Sequence, residues 1–180
     1  MIYLLAIALV LTIFGFIRKV RQNGFRAEIF DSLFAALAGF AAGIFIGFGA
    51  RIGMGAIAFF NDDAFRFSVS GSFLVILLFS SFGIGLGLLY ANFLRDLLRR
   101  NGLLFGIIIT LFTWYPFAVS AAQILRFQPT VVSLVFFTGI FTALMWLPFA
   151  VTLERFLKGW ENHFRKTLFS GWFGSKAQMH

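Results

Sequence analysis

Residues 32–50 read SLFAALAGFAAGIFIGFGA, nineteen consecutive residues without a charge, in which Ala35, Gly39, Gly43 and Gly47 recur at strict four-residue spacing. At a rise of about 1.5 Å per residue this stretch extends for roughly 28 Å, the thickness of bilayer hydrocarbon. Positions four apart share one helical face, so the small residues form a groove along which a second backbone can approach closely. Arg51 follows on the same face and closes the ladder. The stretch therefore reads as a membrane-crossing helix with a packing partner.

Working outward, the rest of the chain repeats the pattern. Apolar runs occur at Ile2 to Ile17, Ser72 to Leu94, Leu103 to Ala122 and Val131 to Val151, with the few charges confined to the gaps. Over 180 residues the composition is 60% hydrophobic and 12% charged, with a mean hydropathy of +0.91, far outside the range of water-soluble domains. The sequence predicts an all-α integral membrane protein with about five transmembrane helices and a C-terminal amphipathic interfacial helix. Residues 1–152 are read as the transmembrane bundle and 153–180 as a cytoplasmic amphipathic tail. The first run lacks a positive n-region and a small-residue cleavage site, so it reads as a retained anchor rather than a signal peptide.

The basic residues sort by loop. With five spans, Arg18, Lys19, Arg21, Arg26, Arg95, Arg99, Arg100, Arg155, Lys158, Arg165, Lys166 and Lys176 fall on one side, and Arg51, Arg66 and Arg126 on the other. Cytoplasmic loops attract Lys and Arg, so twelve against three predicts a cytoplasmic C-terminus in a bacterial inner membrane and, with five spans, an outside N-terminus. A first segment lying flat in a four-span arrangement would leave the division unchanged, and the absence of charge before Arg18 favours five. The net charge of +8 then matches loops facing anionic lipid, and no nucleic-acid partner is expected. The absence of cysteine excludes disulfides and thiolate metal centres. Neither His163 nor His180 lies in a span, so the chain supplies no axial haem ligands inside the membrane.

The third span carries Gly83, Gly87 and Ala91 in the same four-residue register as the second, and these two helices are expected to pack on each other. The groove can instead receive a helix of another subunit. Phenylalanine supplies 28 residues. Its ring has no polar handle, which suits contact with lipid, quinone, carotenoid or chlorophyll tails as well as with neighbouring helices.

Polar residues near the spans are the remaining pointers. Arg51 lies close to the outer interface, where it is expected to pair with Asp62 or Asp63 or to hold a lipid headgroup. In the fourth span Pro116 removes a backbone donor and is expected to kink the helix. Thr113, Trp114 and Tyr115 beside it outline a candidate kink pocket. Beyond the last span Leu153, Phe156, Leu157, Trp160, Phe164, Leu168 and Trp172 recur at helical intervals with basic residues between them, the pattern of an interfacial helix anchored by Phe156, Trp160, Phe164 and Trp172. No catalytic constellation is visible, since none of the seven carboxylates has a His or Ser partner at motif spacing.

Arg51, the following loop, Phe67-Ser68-Val69-Ser70-Gly71-Ser72 and the closing Leu89-Tyr90-Ala91 resemble a group of small uncharacterised bacterial multi-pass membrane proteins. The resemblance covers about 40 residues, and it implies a bacterial origin and no particular chemistry. Packing surfaces, apolar bulk and an amphipathic end together predict a non-catalytic accessory subunit of a larger membrane complex, photosynthetic or respiratory, in contact with membrane lipids and other integral subunits. A small-molecule or lipid transporter component is the alternative. Reporter fusions at Asp63 and His180 should report opposite sides of the membrane, and a common side for both overturns the topology.

Overall fold

The computed structural model describes residues 2–61, 68–124 and 131–165, and every regular element among them is helical. Helix α1 spans Ile2–Asn23, α2 Phe25–Phe60, α3 Val69–Leu89, α4 Gly102–Ile124 and α5 Val131–Gly159. Two of them run on into π-helical turns, α3 through Tyr90–Leu94 and a final Arg95–Leu97 turn, and α5 through Trp160–Arg165. Four helices are long and apolar enough to cross a membrane among the described residues: Phe25–Phe59, Val69–Leu97, Gly102–Ser120 and Leu134–His163. The protein is an all-α multi-pass membrane protein. The expected fifth span, α1, is helical over 22 residues, a rise of about 33 Å, and the side chains of residues 2–5 at its start lie outside the described residues.

Local chemistry sets the helix ends. Gly24, at φ +87°, is the sole residue between α1 and α2, a left-handed conformation that a side chain would disfavour. Ser68 caps α3, its Oγ accepting from the Gly71 N–H at 3.2 Å. The α3–α4 connection uses two consecutive left-handed residues, Arg99 (φ 52°) and Arg100 (φ 58°). The Arg100 N–H closes the turn onto the Arg95 carbonyl at 2.8 Å. Asn101 then caps α4 by accepting from the Leu104 N–H at 3.2 Å.

Helix α2 is the axis of the bundle. One face carries Ala35, Gly39, Gly43 and Gly47 and lies directly against α3. A Cβ at Gly43 would stand 2.7 Å from Ser80 Cα, one at Gly47 2.6 Å from Ile76 Cα, and one at Gly87 2.5 Å from the Ala35 carbonyl oxygen. Gly39 and Gly83 face each other backbone to backbone. The groove is thus filled by α3 of the same chain, and Ala91 joins the buried core one turn further on. The adjoining face of α2, through Ala38, Ala42 and Ile46, packs on Trp146, Phe149 and Ala150 of α5, with Gly49 pressed against Met145. Helix α4 lies on α5 through Phe105 and through Gly106, which abuts Leu147 and Ala150.

Helix α5 passes the expected boundary between residues 152 and 153 without a break. Leu153 is fully buried and Leu157 nearly so, because they continue the core face begun by Trp146, Phe149 and Ala150. The segment 153–165 is therefore the packed end of the last span, with Phe156 exposed on its outer side. Residues 166–180, including Trp172, lie outside the described residues, as does the side chain of Phe164.

Two substitutions test the α2–α3 contact. Gly43→Leu should lower stability by about 1–3 kcal/mol or abolish folding, since backbone occupies the space. Ser80 is 1% exposed in the same contact and its hydroxyl has no partner among the described residues. Ser80→Ala should therefore leave stability unchanged or raise it by up to about 1 kcal/mol. Thermal unfolding in detergent reads both, and a destabilised Ser80→Ala variant would contradict this packing.

Candidate functional site

The helices bring their charged ends together at one pole of the bundle, here termed the basic end. In an α-helix residues five apart point about 140° away from each other. The π-helical turn adds one residue, and the Arg95 N–H bonds back to the Tyr90 carbonyl, so both side chains face the same neighbour. That neighbour is Glu154 of α5, itself only 3% exposed.

Tyr90 Oη donates to Glu154 Oε2 at 2.7 Å. The Arg95 guanidinium donates from Nε to Glu154 Oε2 at 3.0 Å and from Nη2 to Oε1 at 3.1 Å, a bidentate pair. Its remaining edge reaches Glu161, with Nη1 to Oε1 at 2.7 Å and Nη2 to Oε2 at 3.2 Å. Arg100, from the left-handed turn, adds a third contact to Glu161 Oε2 at 3.2 Å, and Lys158 approaches Glu154 Oε1 at 3.6 Å. The planar guanidinium thus holds two carboxylates by two hydrogen bonds each, four in all, where an ammonium group has three donors. Beneath the charges lies an aromatic floor: Tyr90 stacks on Phe105 at 4.5 Å, and Phe149 continues the contact toward Trp146.

A second cluster adjoins the first. Trp160, in the π-helical turn after α5, donates from Nε1 to Asp31 Oδ1 at 2.8 Å and stacks on Phe34 at 4.5 Å. Asp96 holds Arg18 at 3.1 Å with Lys19 at 4.0 Å, and Lys19 also donates to the Ala91 carbonyl. Gly15 lets α1 lie directly on the backbone of Asn92. Asn23 approaches the buried Glu28, and Ser32 approaches Asn92, each at 3.4 Å. Between these groups is a polar cavity of about 250 Å³ lined by Lys19, Glu28, Asp31, Asn92, Arg95 and Glu161 among others. All five described carboxylates belong to these two clusters, although sequence spacing offered no reason to group them. Among the described residues no three metal-ligating side chains converge.

The residues singled out from sequence fare differently. At the opposite pole Arg51 Nε donates to Ser72 Oγ at 2.8 Å, and Ser72 donates in turn to the Ser68 carbonyl at 2.9 Å. Asp62 and Asp63 lie outside the described residues. The residues around Pro116 point in different directions. Thr113 donates back to the Ile109 carbonyl at 2.7 Å, Trp114 Nε1 reaches across to Thr138 Oγ1 of α5 at 2.9 Å, and Tyr115 points outward. Consecutive helical residues are about 100° apart, so three neighbours cannot share one face.

Removing one partner of a buried ion pair strands the other. Glu154→Ala and Arg95→Ala should each cost about 3–5 kcal/mol, whereas Lys158→Ala, at an exposed position, should cost no more than about 1 kcal/mol. Chemical or thermal unfolding in detergent measures the contrast, and equal effects would remove the network from its structural role.

The chain matches no protein-family model, no curated protein and no solved structure.

Proposed function

We propose that the chain is a non-catalytic accessory subunit of a larger membrane assembly, embedded in a bacterial cytoplasmic membrane with its N-terminus outside and its C-terminus in the cytoplasm. The observation that carries this reading is α1. It meets the bundle mainly near its basic end, through Gly15, Arg18 and Lys19. Ile7, Leu9, Val10, Ile13, Phe14 and Ile17, covering about half of its circumference, remain 48–63% exposed. A helix fastened at one end presents the rest of its length to a neighbouring helix or to lipid. The cytoplasmic C-terminus rests on the twelve-to-three division of basic residues, and the outside N-terminus on α1 crossing the membrane as well.

No charged residue lies in 32–50, 68–94, 102–125 or 131–153, which favours a packing role over a conduction path. The polar cavity at the basic end favours the other reading, a component of a small-molecule or lipid carrier. Purification in mild detergent separates them. The wild-type chain should migrate with other membrane proteins, and Val10→Ala/Phe14→Ala should release them while leaving its own unfolding temperature within a few degrees. Migration of the wild type alone, at the mass of a 20.2 kDa chain plus detergent, overturns the subunit reading.

A further inference from the structure

A second depression at the basic end, about 510 Å³, shares Arg100 with the polar cavity and is otherwise lined by different residues. Its walls are the left-handed turn with the start of α4 (Arg99 to Leu103) and the last turns of α5 (Val151, Glu154, Arg155, Lys158). Gly102 holds the two walls together, because a Cβ there would lie 2.6 Å from Glu154 Cβ and 2.7 Å from the Ala150 carbonyl oxygen.

The charge of this groove is one-sided. Four cations, Arg99, Arg100, Arg155 and Lys158, face a single carboxylate. That carboxylate, Glu154, is 3% exposed and already occupied by Tyr90 and Arg95. Arg100 and Lys158 lean on Glu161 and Glu154. Among the described residues, Arg99 and Arg155 have neither an ion pair nor a side-chain hydrogen bond. Left-handed backbone is unfavourable for side-chain-bearing residues, yet here two in succession adopt it and set Arg99 and Arg100 at the mouth of the groove. Gly102 and Leu103, whose N–H groups a helix start leaves without intrahelical acceptors, line the groove as well.

The surface beyond the groove identifies the source of the anion. Leu104, Ile107, Ile108 and Leu111, at helical three- and four-residue spacing, form an exposed apolar strip up α4 that begins directly at the groove. An acyl chain lying on this strip places its headgroup among the four cations. We propose that the groove binds a phosphate group, presented by an anionic phospholipid whose chain lies along α4.

The test uses the full chain in mild detergent, with phosphatidylglycerol, phosphatidylcholine or inorganic phosphate added. Lipid retention is read by native mass spectrometry and stability by thermal unfolding. Phosphatidylglycerol should be retained and should raise the unfolding temperature, and phosphatidylcholine should do neither. Arg99→Gln/Arg155→Gln should weaken phosphatidylglycerol retention roughly 30-fold, at about 1 kcal/mol per cation removed and tenfold per 1.4 kcal/mol. Arg99→Lys/Arg155→Lys should largely restore it. Arg18→Gln/Arg21→Gln removes equal charge from α1 at the same end and should retain the lipid as the wild type does. Equal weakening in the two Gln pairs, or no preference for phosphatidylglycerol, overturns the site. Stabilisation by inorganic phosphate as large as that by the lipid, and lost in Arg99→Gln/Arg155→Gln, overturns the lipid source.

Discussion

A guanidinium at the end of a membrane helix bundle must be neutralised where it stands, because the surroundings offer little water to solvate it. Arg95 meets this constraint by holding Glu154 and Glu161 together, and much of the basic end is arranged around it. The π-helical turn exists at the one place where Tyr90 and Arg95 must face the same carboxylate. Glu154 fixes α5 against α3, Glu161 draws in Arg100 and with it the start of α4, and the aromatic layer of Tyr90, Phe105 and Phe149 separates the charges from the apolar interior. Such a network contributes less to net stability than its hydrogen bonds suggest, since desolvation offsets most of the attraction. Its effect is to fix which helix ends meet.

The other half of the architecture is set by size rather than charge. Between lipid-solvated helices there is no hydrophobic driving force, so α2 and α3 gain from dispersion contacts that require backbones to touch. Glycine at 39, 43, 83 and 87 permits that approach, and Ser80 enters the contact as a small residue whose hydroxyl has no partner among the described residues. Because Ala38, Ala42 and Ile46 occupy the neighbouring face, α2 binds α3 and α5 at once and leaves its remaining side to the surroundings. The bundle is close-packed around one helix, with α4 and α1 at its margins.

Much of this was legible in the sequence. The glycine register of α2 and α3 depends only on the 3.6-residue period, and the same period places Pro116 and Trp114 within one apolar helix. The ion-pair network was only half visible. Ala150, Leu153 and Leu157 mark the inner face of α5, and Glu154 falls on that face, so a buried carboxylate could have been inferred from its apolar neighbours. Arg95 could not, because an α-helical period turns it away from Tyr90 and only the extra residue of the π-helical turn brings it back. Trp160 misled for a related reason. Its amphipathic surroundings resemble an interfacial anchor, yet Phe34 and Asp31, 126 and 129 positions earlier in the chain, claim its ring and its N–H. Long-range pairing of that kind leaves no local periodicity to read.

The single residue between α1 and α2 has a mechanical consequence. A longer linker would absorb a tilt of α1 in its own slack, whereas Gly24 is bonded on both sides, its N–H to Val20 and its carbonyl to Glu28, at 3.0 and 3.2 Å. A tilt of α1 therefore pivots where Gly15 rests on the backbone of Asn92 and is passed on through a joint one residue wide. The first turns of α2 lie just beyond that joint, and there Glu28 and Asp31 border the polar cavity, so the geometry couples the free length of α1 to the cavity wall.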